Sequence, residues 1–533
     1  MSKARGRAWG PAMGPDREVD LRGFVRHALV FWLWSALFMT MWSLATPLWS
    51  APDSVAHELR AYGAAHGNLT PDPPEGDQVL GTTGVDEVPE GLLSSAGSAG
   101  CYAFQPLVSA ECLAPVGDSE KLLPYPNPAG RYIPSYYVVT GLPTLVVPLD
   151  LAVPSERGMA VLISSMFLGL ALAAARTMRR PALAMTGVLV GCSPMVLYLG
   201  GVVNPNSLEI TAMAAVGACS LAALLRPQAL LSTLLLRISL VSAAALCIAR
   251  MISPVWLAIW LGVLLVAFGG PLVKRLLERR MLAFTALPVV ASAINCAWTF
   301  SSAGSLEGTS TAAPVSMWDA WSLSAARIDS GLNEVVGIFG WLDTVLSPRE
   351  YTFYITGAIF IVGMLATVVD RRRLAALATL VAAAYFVPIA IQAAQWGSVG
   401  PVWQGRYTIP LLLLVPVLAG MVASERSDQS FANRVAFICV PITGLLAYVH
   451  VRAYFAQLRR NVSGVSGSAF DGGWEPPLTA EVQFALYTVL VVVTWLALSR
   501  MLLRAGVVSD EGRDEPRPAA GRRSEDAGLP EPV

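Results

Sequence analysis

The first candidate for chemistry follows the first long apolar run of the chain. Asp53 and His57 lie four residues apart, just after Pro52. If this stretch is helical, the carboxylate and the imidazole share one face of the helix. A carboxylate beside apolar walls at a membrane boundary can have a raised pKa, so Asp53 could take a proton from an acceptor hydroxyl. The same spacing also fits a helix-capping aspartate followed by a surface histidine, and spacing alone does not separate the two interpretations.

Two arginines stand apart from the other basic residues. Arg250 begins a tight turn after one apolar run, and Arg406 precedes another run within Gln404-Gly-Arg-Tyr407. A guanidinium can grip a phosphate with two hydrogen bonds, and phosphate at the end of a membrane span belongs to a lipid head group or a lipid-linked donor. We therefore interpret both arginines as candidate phosphate-binding residues. The alternative is that each extends to the membrane interface or forms a local ion pair.

Other polar and aromatic side chains near the same ends of the spans could bind sugar. Amides can hydrogen-bond hydroxyl groups, although Asn204 and Asn206 also fit an ordinary turn. Trp341 could stack on a sugar ring while Asp343 holds its hydroxyls, or the two could be an interfacial anchor beside a solvated carboxylate. The candidate substrate-binding residues are Asn204, Asn206, Trp341, Asp343, Gln404 and Tyr407.

The composition indicates a membrane protein. Of the 533 residues, 54% are hydrophobic and only 14% are charged, whereas average soluble domains carry about 25% charged residues. This composition excludes a soluble enzyme with an ordinary charged surface. Lys+Arg and Asp+Glu both number 37, so the chain lacks the basic excess of a nucleic-acid binder. We predict an all-α polytopic protein of the cytoplasmic membrane.

Apolar runs of about 20 residues, the length that crosses a bilayer, recur along the chain. They predict about twelve transmembrane helices, near 28–49, 157–175, 182–202, 207–225, 229–249, 252–270, 281–300, 351–369, 374–395, 407–424, 433–453 and 481–503.

The orientation depends on the apolar run 133–153, which three prolines interrupt. If this run is an interfacial helix on the outer surface, every strong cluster of Lys and Arg falls inside. The positive-inside rule therefore predicts that both termini are cytoplasmic. It also places the long loops 50–156 and 301–350, with the candidate residues, on the extracytoplasmic face.

We divide the chain into a cytoplasmic N-terminal tail (1–27), a transmembrane domain (28–503) and a charged, Pro-rich cytoplasmic tail predicted to be disordered (504–533). Cys101 and Cys112 share the first outer loop and would form a disulfide in an oxidising compartment, with two free thiols as the alternative. We assign no metal ligand, because no ligand spacing is diagnostic, although acidic residues of that loop could bind a divalent cation.

Together, these motifs resemble the bacterial multi-pass family named domain of unknown function 2142. The resemblance covers about residues 25–500 and rests on an ordered series of short motifs: Pro52-Asp53 with His57, Pro134-Ser-Tyr-Tyr137, Asn204-Pro-Asn-Ser-Leu208, Phe339-Gly-Trp-Leu-Asp-Thr344 and Gly405-Arg-Tyr407. That family is similar to the GT-C glycosyltransferases, so the resemblance implies a GT-C-like fold. The chain departs from the family pattern at Ser54, where an acidic residue is typical.

GT-C enzymes take sugar from a polyprenyl-phosphate donor and work on the outer face of the membrane. Their typical catalytic carboxylate lies in the first outer loop, and the resemblance assigns this role to Asp53. His57 would orient Asp53 or the acceptor, and Arg406, with Arg250, would hold the donor phosphate. Direct displacement at the anomeric carbon would invert its configuration.

The sequence therefore predicts an integral membrane glycosyltransferase that moves a sugar from a polyprenyl-phosphate donor to a cell-envelope glycan or lipid acceptor. Its expected partners are membrane lipids, the lipid-linked donor and the acceptor. Two other functions fit the same features: a lipid or glycan transporter, and a non-catalytic membrane protein of envelope assembly. The sequence does not specify the sugar, the acceptor or the oligomeric state.

Overall fold

The computed structural model describes residues 19–72, 83–301 and 315–507. Most of both predicted tails, including the predicted disorder after residue 507, lies outside these residues. The first helix begins at Leu21, because the Asp20 carboxylate accepts a hydrogen bond from the Gly23 amide at 2.7 Å.

The described residues form nineteen α-helices. In the first half of the chain these are α1 (Leu21–Leu44), α2 (Ser54–Ala65), α3 (Glu90–Ser98), α4 (Ser135–Gly141), α5 (Ala152–Arg176), α6 (Pro181–Gly191), α7 (Pro194–Gly200), α8 (Pro205–Leu225), α9 (Ser232–Cys247) and α10 (Ser253–Phe268). In the second half they are α11 (Gly270–Leu276), α12 (Leu282–Ser301), α13 (Met317–Gly337), α14 (Pro348–Ala366), α15 (Arg371–Val399), α16 (Ile409–Leu412), α17 (Leu414–Arg426), α18 (Gln429–Ser463) and α19 (Ala480–Val507).

Two small antiparallel two-stranded sheets accompany the helices. The first pairs β1 (Gly84–Pro89) with β2 (Leu122–Asn127), and the second pairs β3 (Ile338–Phe339) with β4 (Thr344–Val345). Between β1 and β2, Cys101 and Cys112 form a disulfide with their Cα atoms 6.2 Å apart. The sequence predicts this bridge, with two free thiols as the alternative.

Eight of the described helices are long and apolar enough to cross a membrane, or nine if α6 and α7, which meet at 72°, form one bent span. The twelve predicted runs all fall on helices. Three of these runs lie on helices that are too short or not apolar enough to be counted as spans. The helices α9 and α10 have only 16 residues each, and α14 carries Arg349 and Glu350 in its first turn. The chain is a helical, multi-pass membrane protein.

The most buried span, α8, lies at the centre of the bundle. Its apolar segment is 89% buried, with α5, α9 and α17 packed against it. The neighbouring helices α6 and α17 approach so closely that a Cβ on Gly187 would stand 2.3 Å from the carbonyl oxygen of Pro416. Because α8 is fixed on all sides, its first residues are fixed as well. They lie at the end of the bundle that carries residues 45–72 and 83–151, which we call the loop face.

The predicted interfacial helix at 133–153 is not one helix. The segment folds as α4, then the 3-10 helices Leu142–Leu145 and Leu149–Leu151, and its last two residues already belong to α5. The break has a physical cause, since Pro143 and Pro148 cannot donate a backbone hydrogen bond inside a continuous helix. Several apolar side chains of the segment are nevertheless exposed, including Val146 at 86%.

An ion pair with no exposure organises the first loop. Arg60 of α2 donates from Nη1 to Oδ1 of Asp86 in β1 at 2.9 Å, and both side chains are 0% exposed. Asn127 of β2 donates from Nδ2 to the other carboxylate oxygen at 2.8 Å and to the carbonyl oxygen of Ala56 at 3.0 Å. These contacts attach the β1–β2 sheet to α2, the helix that follows Asp53.

We expect Asp86→Ala to destabilise the first loop. The substitution leaves Arg60 buried without its carboxylate, and breaking a buried pair from one side costs about 3–5 kcal/mol in the free energy of unfolding. Thermal denaturation in detergent should show a lower midpoint, and limited proteolysis should cut the loop faster. Asp118→Ala is the control, since Asp118 is an exposed acid of the same loop. Identical behaviour of the two variants would contradict the structural role of Asp86.

Candidate active site

An ion pair at the loop face joins two residues that lie 353 positions apart. Nη2 of Arg406 donates to Oδ2 of Asp53 at 2.5 Å. Asp53 lies between α1 and α2, and Arg406 lies in the 3-10 helix Gly405–Thr408 that leads into α16. The Asp53 side chain is 54% exposed, whereas that of Arg406 is 1% exposed. A buried cation therefore meets a carboxylate that is half open.

The backbone of Asp53 is unusual. Asp53 occupies the N-cap position of α2 with φ 59° and ψ 16°, in the left-handed region, which Asp tolerates better than most residues. Its side chain makes no capping hydrogen bond, because the carboxylate is turned to Arg406 instead. The interpretation of Asp53 as an ordinary capping side chain is therefore wrong, although its position is that of a cap.

The ring of Tyr407 connects the two candidate phosphate-binding arginines. The guanidinium carbon of Arg250 lies 4.5 Å from the ring centroid and that of Arg406 lies 5.3 Å from it, which is within range of a cation–π interaction. Arg250 also pairs with the fully buried Glu209, from Nη1 to Oε2 at 3.1 Å, and Ser253 donates to the other oxygen at 2.7 Å. Arg250 thus has an internal counter-ion.

Glu209 and Tyr137 belong to this site although we did not assign them from the sequence. Glu209 follows Asn204-Pro-Asn206 by less than one helical turn, and an acid at that depth needs a cation near it. Oη of Tyr137 lies 2.8 Å from Nδ1 of His57. The sequence therefore contains both features, an acidic residue within a span and a pair of adjacent tyrosines. Neither feature identifies the residue that it contacts in the fold.

His57 is buried, with a side chain that is 4% exposed. Its ring packs against Tyr137 and, edge-on, against Tyr132. Burial lowers the pKa of His57 to about 4, even though the charge of Asp53 raises it. The imidazole is neutral at pH 7, and within the described chain its hydrogen-bond partner is Tyr137 and not Asp53.

Two opposing effects set the pKa of Asp53. Burial raises it, while the positive charges and hydrogen bond of Arg406 lower it, and the net result is a pKa below the usual value. Asp53 is consequently a carboxylate at neutral pH. While it remains paired with Arg406, it is a weaker base than a free aspartate.

Asn204 positions the Asp53 turn. Its Nδ2 donates to the carbonyl oxygen of Pro52 at 3.3 Å, and its Oδ1 accepts from the Asn206 amide at 3.0 Å as the cap of α8. Asn204 and Asn206 are 0% and 2% exposed. As placed, the two amides hold the start of α8 beside Asp53, and neither faces open space where a sugar could bind.

Asp343 and Trp341 lie in a different cluster. Asp343 pairs with Arg460 of α18, from Oδ2 to Nη2 at 2.7 Å, and both side chains are less than 10% exposed. Trp341 packs against Phe104 at 5.3 Å between ring centroids. Arg460 also donates to the carbonyl oxygen of Tyr102 at 3.0 Å. These contacts join the second loop to the first, so the structure does not bring Asp343 and Trp341 to the Asp53–Arg406 pair.

The turn that carries Arg406 lies directly against α13. The Gly405 amide donates to Oε2 of Glu334 at 2.5 Å, and a Cβ on Gly405 would stand 1.9 Å from the carbonyl oxygen of Gly331. A mainly apolar pocket of about 220 Å³ lies between α13, α15 and this turn, reaching Gly405 and Thr408. Gln404 occupies the N-cap position of this 3-10 helix, and its side chain makes no capping hydrogen bond.

Within residues 19–72, 83–301 and 315–507, no group of three or more His, Cys, Asp or Glu side chains is arranged to hold a metal ion. The site is built instead from two carboxylates, two guanidinium groups and aromatic rings.

The burial of His57 gives a spectroscopic prediction. A ring with a pKa of about 4 does not titrate between pH 6 and 8, so its ¹⁵N chemical shifts should stay constant over that range. The chain has four histidines, and His57→Gln identifies the signal. A titration of the His57 signal with a midpoint near 6.5, the unperturbed value, would contradict the buried placement.

Comparison with known proteins places the chain in a family. Residues 36–415 match the family described as Predicted membrane protein (DUF2142). Among solved structures, ArnT from Cupriavidus metallidurans bound to undecaprenyl phosphate is similar, with 12% identity, a TM-score of 0.41, and coverage of 91% of this chain and 77% of that one. No curated protein matches. Since the family match covers well over half of its length, the chain belongs to the DUF2142 family of membrane proteins.

Proposed function

We propose that this protein is a GT-C-type glycosyltransferase, which transfers a sugar from a polyprenyl-phosphate donor to a cell-envelope glycan or lipid acceptor on the extracytoplasmic face of the membrane. The observation that carries this proposal is the Asp53–Arg406 pair, in which a half-open carboxylate meets a buried guanidinium. In an inverting displacement, the base for the acceptor hydroxyl and the cation for the leaving phosphate lie on opposite sides of one anomeric carbon, so both residues must border the same site.

Arg406 is the main phosphate-binding residue in this proposal. Glu209 already balances the charge of Arg250, so Arg250 supports the site through the Tyr407 ring instead. The apolar pocket beside Gly405 would accept part of the polyprenyl chain, since it lies next to the turn that carries Arg406. The donor would thus place its chain in apolar surroundings and its phosphate on a guanidinium.

The acceptor hydroxyl attacks the anomeric carbon, and the bond from that carbon to the phosphate oxygen breaks. The hydroxyl proton passes to Asp53, and the negative charge that develops on the phosphate is stabilised by Arg406. His57 is neutral and bonded to Tyr137, so it orients the wall of the site beside Asp53. Displacement from the opposite side inverts the anomeric configuration.

Asp53→Asn should remove sugar transfer while leaving insertion and folding intact. Loss of a positioned base costs about 10²- to 10⁴-fold in rate. Purified protein would be incubated with a panel of polyprenyl-phosphate sugars and envelope-derived acceptors, and donor consumption measured. Asp118→Asn, which removes an exposed charge from the same loop, is the control and should retain activity. If the wild type consumes no donor while well folded, transport or a non-catalytic role in envelope assembly becomes the better hypothesis.

Arg406→Lys should weaken donor use although the charge is kept. Lysine lacks the planar fork that binds two phosphate oxygens and lacks the flat face that contacts the Tyr407 ring. We expect kcat/KM for the donor to fall about tenfold or more. Arg349→Lys makes the same change in the first turn of α14, where Arg349 is exposed, and serves as control. Unchanged donor kinetics in Arg406→Lys would rule out the phosphate-binding role.

A further inference from the structure

We infer that Asp53 occupies the anion-binding position of Arg406, and that Asp53 and the donor phosphate compete for this guanidinium. This inference rests on the proposed function and adds a mechanism to it. The ion pair of the structure is then the resting state of the site, and the phosphate must displace Asp53 before transfer begins.

The two partners differ in how firmly they are held. Arg406 is 1% exposed and lies in a turn pressed against α13, whereas the Asp53 side chain is 54% exposed. Asp53 has no capping hydrogen bond that would fix its carboxylate in α2. A ligand that enters from the open side therefore finds a fixed cation and a carboxylate that can turn away.

In the resting state, the guanidinium of Arg406 forms only some of the hydrogen bonds that it could donate. Nη2 contacts Asp53 and, at 3.4 Å, Oη of Tyr407. Nε and Nη1 are buried and have no hydrogen-bond partner among the described residues. Buried donors without partners are costly, and Asp53 leaves two of them unsatisfied. A phosphate presents more oxygens than one carboxylate edge can bring to Arg406, so it suits this guanidinium better.

The charges match an exchange of one anion for another. The resting site holds two arginines, balanced by Glu209 and Asp53. The donor phosphate is a diester with one negative charge, so Arg406 keeps one singly charged anionic partner when the phosphate replaces Asp53. After transfer, the lipid phosphate becomes a monoester with a charge near −2. Once Asp53 has released the accepted proton to water, its return to Arg406 provides a built-in competitor that helps this product leave.

The competition also explains how a weak base becomes a useful one. Paired with Arg406, Asp53 has a lowered pKa. Once the phosphate takes Arg406, the carboxylate loses its cation and gains an anionic neighbour, and both changes raise its proton affinity. Asp53 thus becomes a stronger base only when a donor is bound, which limits unproductive chemistry in the empty site.

The test is to measure phosphate-lipid binding without turnover. The dissociation constant of undecaprenyl phosphate would be measured by microscale thermophoresis on wild type, Asp53→Asn and the control Asp118→Asn in nanodiscs. When an internal competitor is removed, the apparent affinity for the ligand increases. The increase is the inverse of the fraction of protein whose site was free of the competitor. We expect Asp53→Asn to bind roughly threefold to thirtyfold more tightly, the range of a partly buried ion pair, and Asp118→Asn to bind as wild type does.

Inorganic phosphate as a second probe separates the sources of the anion. Tighter binding of both probes by Asp53→Asn supports competition at the phosphate itself, and tightening for the lipid alone supports competition that needs the chain in place. Equal or weaker binding of both probes by Asp53→Asn overturns the inference. Asp53→Gly repeats the measurement if the asparagine variant has an altered thermal midpoint, because glycine adopts the positive φ of this position without strain.

The outcome is distinct from that of the proposed function. If Asp53→Asn loses transfer but does not bind undecaprenyl phosphate more tightly, the proposed transferase stands and the competition is overturned. If neither wild type nor variant binds either probe, both ideas fall. Tighter binding together with lost transfer supports both, since a merely structural aspartate would not strengthen ligand binding when removed.

Discussion

The arrangement of the loop face depends on one constraint, which is that a guanidinium buried to 1% exposure needs a negative partner. That partner is Asp53, which is far from Arg406 in the sequence. The pair ties the turn after α1 to the turn before α16, and so joins the first and later parts of the bundle at one point. Because the cation is inside and the carboxylate is at the opening, the pair is both a structural joint and a place where a ligand can enter.

Similar joints recur around this centre. Among the residues that the structure describes, three ion pairs have both side chains less than 10% exposed: Arg60–Asp86, Arg157–Glu58 and Arg460–Asp343. Each connects two different elements or loops, and each has additional hydrogen bonds, as buried charges require. They differ from Asp53–Arg406 in that neither partner is open. The first loop is thus held by closed pairs, while the half-open Asp53–Arg406 pair remains accessible for binding.

The sequence predicted the elements of the bundle better than it predicted the partners of its charges. The apolar runs fall on helices because hydropathy reports the local environment of each segment. The two residues chosen for the outer site, Asp53 and Arg406, do meet, since both lie where a span ends. The alternative of a solvated Asp343 is wrong, since its carboxylate is paired with Arg460, and this contact depends on the rotation of α18 and on the path of two loops. Neither quantity is local. The break of the interfacial segment was signalled by its prolines, and was underestimated.

The close fit of Gly405 against the backbone of Gly331 has a mechanical consequence. With no side chain between them and the Gly405 amide bonded to Glu334, the turn of Arg406 and the helix α13 are in effect one rigid piece. A displacement of α13 must therefore be transmitted to the guanidinium with little loss. The second loop, which contains α13, is distant from Asp53 in the sequence but is mechanically coupled to the Arg406 guanidinium. A partner that docks on α13 therefore acts on the position of that charge.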